Sequence, residues 1–206
     1  MNERLETFSD GIFAIAMTLL ILEIKVPPVS SIHSFLGLKN ELLAQWPSWF
    51  AFLLSFIAMF IAWINHHHFM AQLNRTKSSN AFLYIHGLFF LTICVYPFTT
   101  ALLAEYLNTE FLTFPVFIYC FMNTVHAGSW VLIHHFALHP INLTKNEKAA
   151  KHISKTGKSI IYTVIFNLGM CIMAFWFPMT AVTLTALAWI VYLAMGIILS
   201  PIIADE

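Results

Sequence analysis

The stretch Arg4–Pro27, RLETFSDGIFAIAMTLLILEIKVP, decides the fold class of this chain. From Gly11 to Leu22 it is almost wholly apolar, although Ser9 and Asp10 stand at its entry and Thr18 lies in its middle. A helix needs about 20 mainly apolar residues to cross the hydrocarbon core of a bilayer. The stretch therefore predicts a membrane-spanning helix that carries a costly acid near one end.

The composition places the whole chain in the same class. Of its 206 residues, 59% are hydrophobic and 10% are charged, whereas soluble domains carry about 25% charged residues. The formal net charge is zero, so no excess of basic residues points to nucleic acid as a partner. Ten histidines and three cysteines show no spacing typical of a zinc site.

Five further runs are long and apolar enough to span. We predict an all-α membrane protein with a single domain over residues 1–206 and spans at roughly 5–26, 46–70, 80–107, 111–135, 158–176 and 178–203. Leucine and phenylalanine recur at helical spacing in the first link, which predicts a short interfacial helix at residues 31–45. The lysine-rich link Asn142–Lys158 is predicted to be a solvated loop, with an anion- or lipid-binding patch as the alternative.

Lysine and arginine are distributed unevenly between the links. If the N-terminus is cytoplasmic, only two of the ten, Lys25 and Lys39, fall on the outer side. The other eight fall on the inner side: Arg4, Arg75, Lys77, Lys145, Lys148, Lys151, Lys155 and Lys158. This bias predicts a multi-pass protein of the cell membrane with both termini in the cytoplasm.

A helical wheel at 100° per residue divides the first helix into two faces. One stripe carries Gly11, Ile15, Thr18, Leu19 and Leu22. Ser9 and Asp10 point away from that stripe, so we expect them to turn toward the rest of the subunit. Because a carboxylate within a span needs a partner or water, we expect Asp10 to join a hydrogen-bond network with histidines at its depth. The candidates are His66, His67, His68, His86, His134 and His135.

Such a network could simply clamp the helices together, or it could also orient the first helix for a function. A metal site is a weaker alternative, since consecutive helical residues point about 100° apart. The run His66–His68 therefore cannot chelate one ion by itself, and a site would need histidines from other spans.

One motif in this region resembles a known family. Arg4, Phe8, Ser9 and Asp10 form the pattern RxxxFSD at the start of the first span. The pattern is similar to the signature of the lysosomal potassium channel family, transmembrane protein 175. The continuation GIFAIAMTLLILEIKVP also resembles the first helix of that family, and the stretch from Trp63 through His66–His68 resembles its second.

The resemblance implies a potassium-permeable cation channel that is not an enzyme and needs no cofactor. Single-repeat prokaryotic members form homotetramers, in which the first helix of each subunit lines a central pore. By motif position, the hydrophobic constriction falls on Ile15 and the hydroxyl layer linked to potassium selectivity falls on Thr18. Leu19 and Leu22 continue the narrow section. The implied partners are potassium ions, membrane lipid and further copies of the chain.

The resemblance also gives roles to the polar motif, and two other function classes stay open. Ser9 and Asp10 belong to the network that holds the first helix, whereas Arg4 could belong to either face.

The ten histidines would suit a membrane oxidoreductase that holds haem between two histidines. A secondary transporter is the other alternative, although no convincing inverted repeat is visible.

Overall fold

The computed structural model describes residues 2–77, 79–139 and 142–199. These ranges contain helices and turns and no strand. The α-helices are α1 (Asn2–Leu19), α2 (Phe35–Ala44), α3 (Trp46–Met70), α4 (Asn80–Tyr106), α5 (Thr113–Leu138), α6 (Glu147–Met173) and α7 (Pro178–Leu199). Two short 3₁₀ helices, Leu20–Glu23 and Val29–Ser31, lie between α1 and α2.

Six helical segments in this part of the chain are long and apolar enough to cross a membrane. They are α1 with its 3₁₀ extension, and α3 to α7. The prediction of an all-α membrane protein with six spans is confirmed. Residues 200–203, which the sequence prediction assigned to the last span, lie outside the described residues.

The fifth span differs most from its predicted bounds, because α6 begins at Glu147 instead of near Lys158. The Asn146 side chain accepts a hydrogen bond from the Ala149 N–H at 2.9 Å, which caps the helix. Ala149 and Ile153 are buried one turn apart. The prediction of a solvated loop here was wrong, because an amphipathic first section of a helix escapes a test based on hydropathy alone.

Smaller differences occur at two other spans. The α-helical part of the first span ends at Leu19 and the 3₁₀ helix at Glu23, short of the predicted Val26. α5 covers Thr113–Leu138, a shift of two to three residues toward the C-terminus. In the first link, Ser34 caps α2 by accepting a hydrogen bond from the Gly37 N–H at 3.0 Å.

Two apolar cores hold the bundle together. The first lies at the end of the bundle where α1 begins, and it joins α1, α3, α4 and α5 around Phe13, Phe82 and Phe89. The second lies toward the opposite end and joins α3 to α7. α1 packs on α3 and α4, whereas α6 and α7 pack on α5 and on each other. α1 therefore lies at one edge of the subunit.

Candidate functional site

α1 attaches to the subunit through one narrow face. The buried side chains of α1 and of its 3₁₀ extension recur every three or four residues: Leu5, Ser9, Phe13, Ala16 and Leu20. Phe13 is fully buried and packs between His66 of α3 and Phe89 of α4, with ring centroids 6.1 and 5.9 Å away. The spacing is that of a helix with one apolar stripe, so the fold determines the direction in which the opposite face of α1 points.

Ser9 and His66 form the polar centre of this face. The Ser9 Oγ lies 3.1 Å from the Nδ1 of His66, and both side chains are buried. The imidazole of His66 stacks on Phe89, with centroids 5.5 Å apart and planes 8° from parallel. Because the ring is held by packing on one side and by the hydroxyl on the other, it fixes the rotation of α1 against α3.

Asp10 does not pair with a histidine. Its Oδ1 accepts a hydrogen bond of 2.9 Å from the indole Nε1–H of Trp63, one turn before His66 on α3. The side chain is exposed on the subunit instead of turned into the bundle. The expected histidine partner was therefore wrong, because Asp10 lies about 100° around the helix from Ser9 and reaches only the edge of α3.

The other predicted histidines are dispersed. His86 donates from Nδ1 to the Phe82 carbonyl at 2.9 Å, and its buried Nε2 has no partner among the described residues. His67 lies 3.7 Å from the Glu6 carboxylate, and His68 points to the far side of α3. A single network that joins all of these histidines to Asp10 is not observed within the described ranges.

His134 and His135 also lie apart from Asp10. His134 donates from Nδ1 to the Trp130 carbonyl of its own helix at 2.8 Å, and His135 is exposed. Among the described residues, no three His, Cys, Asp or Glu side chains are placed to hold a metal ion.

The opposite face of α1 carries the predicted stripe, and none of the described residues of the subunit covers it. Ile15 is 63% exposed, Leu22 59% and Leu19 43%. Gly11 and Thr18 are also exposed. The hydroxyl of Thr18 lies 2.9 Å from the carbonyl oxygen of Ala14 and 2.8 Å from that of Ile15. Its hydrogen is therefore directed into the helix backbone, and the oxygen lone pairs remain for an outside group.

The start of α1 exposes one charged and one aromatic residue of the motif. Arg4 and Phe8 are exposed there, and Phe8 also contacts Phe90 edge-on, with ring centroids 5.6 Å apart. Glu3 forms an ion pair with Arg75 of the α3–α4 loop at 2.8 Å. This pair was not predicted from the sequence, because loop geometry decides it.

Sequence reasoning also missed two hydrogen bonds between α4 and α5. Thr92 lies 2.9 Å from the Nδ1 of His126, and the Tyr96 hydroxyl donates to the Asn123 Oδ1 at 2.7 Å. All four side chains are buried. Polar residues at helical spacing inside predicted spans were the available signal, since such residues rarely face lipid.

Two known proteins are similar to this chain over more than 90% of its length. A potassium channel of Chryseobacterium sp. is 30% identical over 192 residues, which are 91% of this chain and 92% of that protein. The crystal structure of a lysosomal potassium-selective channel TMEM175 homolog from Chamaesiphon minutus matches with a TM-score of 0.83 at 30% identity, covering 95% and 97% of the two chains. This chain belongs to the TMEM175 family.

The family model described as "Endosomal/lysosomal potassium channel TMEM175" matches residues 4–97, which include α1 and the α3 side chains that hold it. A second relative, a potassium channel of Chamaesiphon minutus, is 50% identical over 104 residues. That match covers about half of each chain, 50% in both cases. Nothing in these relatives supports the oxidoreductase alternative.

Proposed function

We propose that the protein is a potassium-permeable cation channel. A homotetramer would surround a central pore with four copies of α1. Membership of the TMEM175 family supports this function, as do the names of the relatives. The observation that carries the proposal is the uncovered face of α1, which presents Ile15, Thr18, Leu19 and Leu22 together.

The polar residues on the exposed part of α1 argue against a position that faces only lipid. Asp10 is exposed at the edge of α3, where it accepts from Trp63, although it lies within the first span. Thr7 is also exposed one turn earlier. Because a carboxylate in contact with lipid is costly, we expect this end of α1 to adjoin water or another subunit. A water-filled axis between copies of α1 meets that requirement.

Within such a pore, Ile15, Leu19 and Leu22 would form a hydrophobic neck. Narrow apolar constrictions can stop conduction by losing their water. Thr18 would place four hydroxyl oxygens at the middle of the neck, with lone pairs directed away from the helix backbone. We expect weaker discrimination of potassium over sodium than rings of backbone carbonyls give, because fewer fixed dipoles face the ion.

The proposed orientation places both termini in the cytoplasm, since eight of the ten lysine and arginine residues then lie inside. The cell membrane is the corresponding location. Ser9, His66, Asp10 and Trp63 would keep the stripe of each subunit turned toward the axis. The proposed permeant partner is the potassium ion, and no cofactor is required for passive conduction.

Ion flux through purified protein in liposomes tests the proposal. With a potassium gradient and no second ion gradient, we expect passive flux, which a coupled carrier would not support. Ile15→Asn should increase the flux or alter its selectivity, because a polar side chain favours water in the neck. Ile165→Asn is the matched control, since Ile165 is 59% exposed on α6, away from α1.

Three results would overturn parts of this proposal. Identical flux in wild type and Ile15→Asn would mean that α1 does not line the path. A strong sodium preference in reversal potentials would contradict potassium conduction. A native mass spectrum without a tetramer would exclude the proposed assembly.

A further inference from the structure

A second site lies on the side of α3 that faces away from α1. A cavity of about 180 Å³ opens between α3, α5, α6 and α7. Polar side chains from three helices line it: Asn65, His68, Asn123, His126, His134 and Asn167. Polar cavities inside a membrane protein are expensive unless water or a ligand satisfies them. The proposed pore does not use this space.

His134 lines the cavity and has one ring nitrogen, Nε2, that can accept a hydrogen bond. Its Nδ1 lies 2.8 Å from the carbonyl oxygen of Trp130. A carbonyl only accepts, so the hydrogen must be on Nδ1, and in a neutral imidazole the Nε2 then carries a lone pair. That Nε2 has no hydrogen-bond partner among the described residues.

Histidine 126 is held in the same way by a hydroxyl. The Thr92 Oγ donates to the Phe89 carbonyl at 2.6 Å, so it must accept from the Nδ1–H of His126 at 2.9 Å. The Nε2 of His126 is left as an acceptor. One N–H of the Asn167 amide donates to the Thr163 carbonyl at 2.9 Å, and the Asn167 Oδ1 has no hydrogen-bond partner among the described residues.

These three acceptors belong to largely buried residues that border the cavity. His126 is 4% exposed, His134 5% and Asn167 2%. An acceptor that faces a confined cavity has little water around it, so a donor placed there is favourable. Trp130 and Trp189 also line the cavity, and each carries an indole N–H that can donate. The site is thus arranged for a group that both donates and accepts.

Charged ligands do not fit this lining. No carboxylate, lysine or arginine is among the described residues around the cavity. An ammonium or carboxylate head would lose its hydration without gaining an opposite charge. A carboxylate would also meet the three acceptors, which have no proton to donate to it. An uncharged hydroxyl satisfies both the acceptors and the indole N–H groups.

An apolar groove between α6 and α7 adjoins the cavity. Tyr162, Phe166 and Ala188 line this groove, which has a volume of about 240 Å³. The groove and the polar cavity share four lining residues: Thr163, Asn167, Trp189 and Tyr192. An alkyl chain in the groove would therefore place its head beside Asn167, at the wall that the two spaces share.

We propose that the cavity and groove form a binding site for a long-chain alcohol, an amphiphile with an uncharged hydroxyl head. The hydroxyl donates to a free Nε2 or to the Asn167 Oδ1, and it accepts from an indole N–H. The chain lies between α6 and α7, where it replaces lipid contact. This site is separate from the proposed pore and does not depend on conduction.

Photolabelling tests the site without any measurement of ion flux. The probe is a ten-carbon alcohol with a diazirine in its chain, added to purified protein in nanodiscs of uncharged lipid. We expect adducts concentrated on peptides of α5, α6 and α7. Unlabelled decanol should compete, whereas decanoate and decylammonium at the same concentration should not.

Two neighbouring histidines provide matched variants. His134→Phe removes a free acceptor from the cavity, whereas His135→Phe changes an exposed residue outside it. We expect labelling to fall about tenfold in His134→Phe and Asn167→Leu, which corresponds to one lost hydrogen bond. His135→Phe should label like wild type.

The proposal is overturned by any of three results. The first is competition by decanoate that equals competition by decanol. The second is an even spread of adducts over the lipid-facing residues of all spans. The third is wild-type labelling in both cavity variants. The competition arm uses only the wild-type protein, so it decides the matter even if a variant fails to fold.

Discussion

Helices α1 and α5 are both apolar spans, yet most of the polar residues of α5 are buried whereas most of those of α1 are exposed. α5 buries Asn123, His126 and His134 inside the bundle and pairs each through at least one hydrogen bond. α1 buries Ser9 but leaves Asp10 exposed at the edge of α3 and Thr18 exposed within its uncovered stripe. In the most apolar windows of the two spans, 28% of α1 and 56% of α5 is buried.

The difference shows how to read polar residues in a membrane protein. Apolar side chains pack equally well against lipid and against protein, so their exposure alone does not show which of the two they contact. A polar side chain must find a partner, water or another subunit. On α5 the polar side chains are enclosed with their partners inside the subunit. On α1 the carboxylate of Asp10 and the hydroxyl oxygen of Thr18 each have one partner in the subunit and stay exposed to an outside group. That asymmetry is consistent with α5 as scaffold and with the interface proposed for α1.

The largest expected effect separates the two faces of α1. Phe13→Ala removes a fully buried ring between α3 and α4, and it should lower the free energy of unfolding by about 3–5 kcal/mol. Ile15→Ala on the exposed stripe should change it by less than about 0.5 kcal/mol. Thermal unfolding in detergent measures both. Equal losses would mean that the stripe is also part of the core.

A smaller loss is expected from the polar scaffold of α5. Thr92→Val leaves the Nδ1–H of the buried His126 without an acceptor, which should cost about 1–3 kcal/mol. Thr183→Val on α7 is the control, because that hydroxyl is exposed and bonds only to its own helix backbone. If the two valine variants unfold at the same temperature, the α4–α5 contact does not stabilise the fold.

The anchor at the edge of α1 should contribute less still. Trp63→Phe deletes the indole donor to Asp10, for an expected loss of about 1 kcal/mol, since the carboxylate is exposed and partly solvated. Asp10→Asn keeps an acceptor oxygen and should lose less than Trp63→Phe. The reverse order, measured by the same unfolding assay, would show that the negative charge matters more than the hydrogen bond.

The smallest effect on stability is expected at Thr18, where we expect a change in ion selectivity instead. Thr18→Val removes the hydroxyl at nearly constant volume and should leave the unfolding temperature unchanged. It should reduce the ratio of potassium to sodium permeability, whereas Thr18→Ser should retain it. Reversal potentials decide the matter, and an unchanged ratio in Thr18→Val would remove Thr18 from the proposed selectivity layer.

The sequence predicted the class of fold and the family correctly. Long apolar runs are sufficient to recognise spans, and the RxxxFSD stretch led to the TMEM175 family that the relatives confirm. The sequence prediction did not find that α6 begins at Glu147, because hydropathy does not detect an amphipathic segment. The wheel placed Ser9 on the buried face of α1 but misjudged Asp10.

The partner of Asp10 could not be found from depth alone. Depth brought histidines and Asp10 to one level, but the lateral direction of each side chain on α3 decides which of them meet. His66 points at Ser9, and Trp63 one turn earlier reaches Asp10. The polar cavity behind α3 was missed for the same reason, since four helices must be placed before it exists.

The uncovered stripe of α1 has a consequence for how this protein can change over time. Ile15, Thr18 and Leu22 contribute little to the packing of their own subunit. Substitutions there can accumulate without loss of the folded chain, while the same changes at Phe13 or Leu20 would be removed by instability. With this stripe as the lining of the proposed pore, variation in what passes the membrane would be open to selection almost independently of variation in the scaffold.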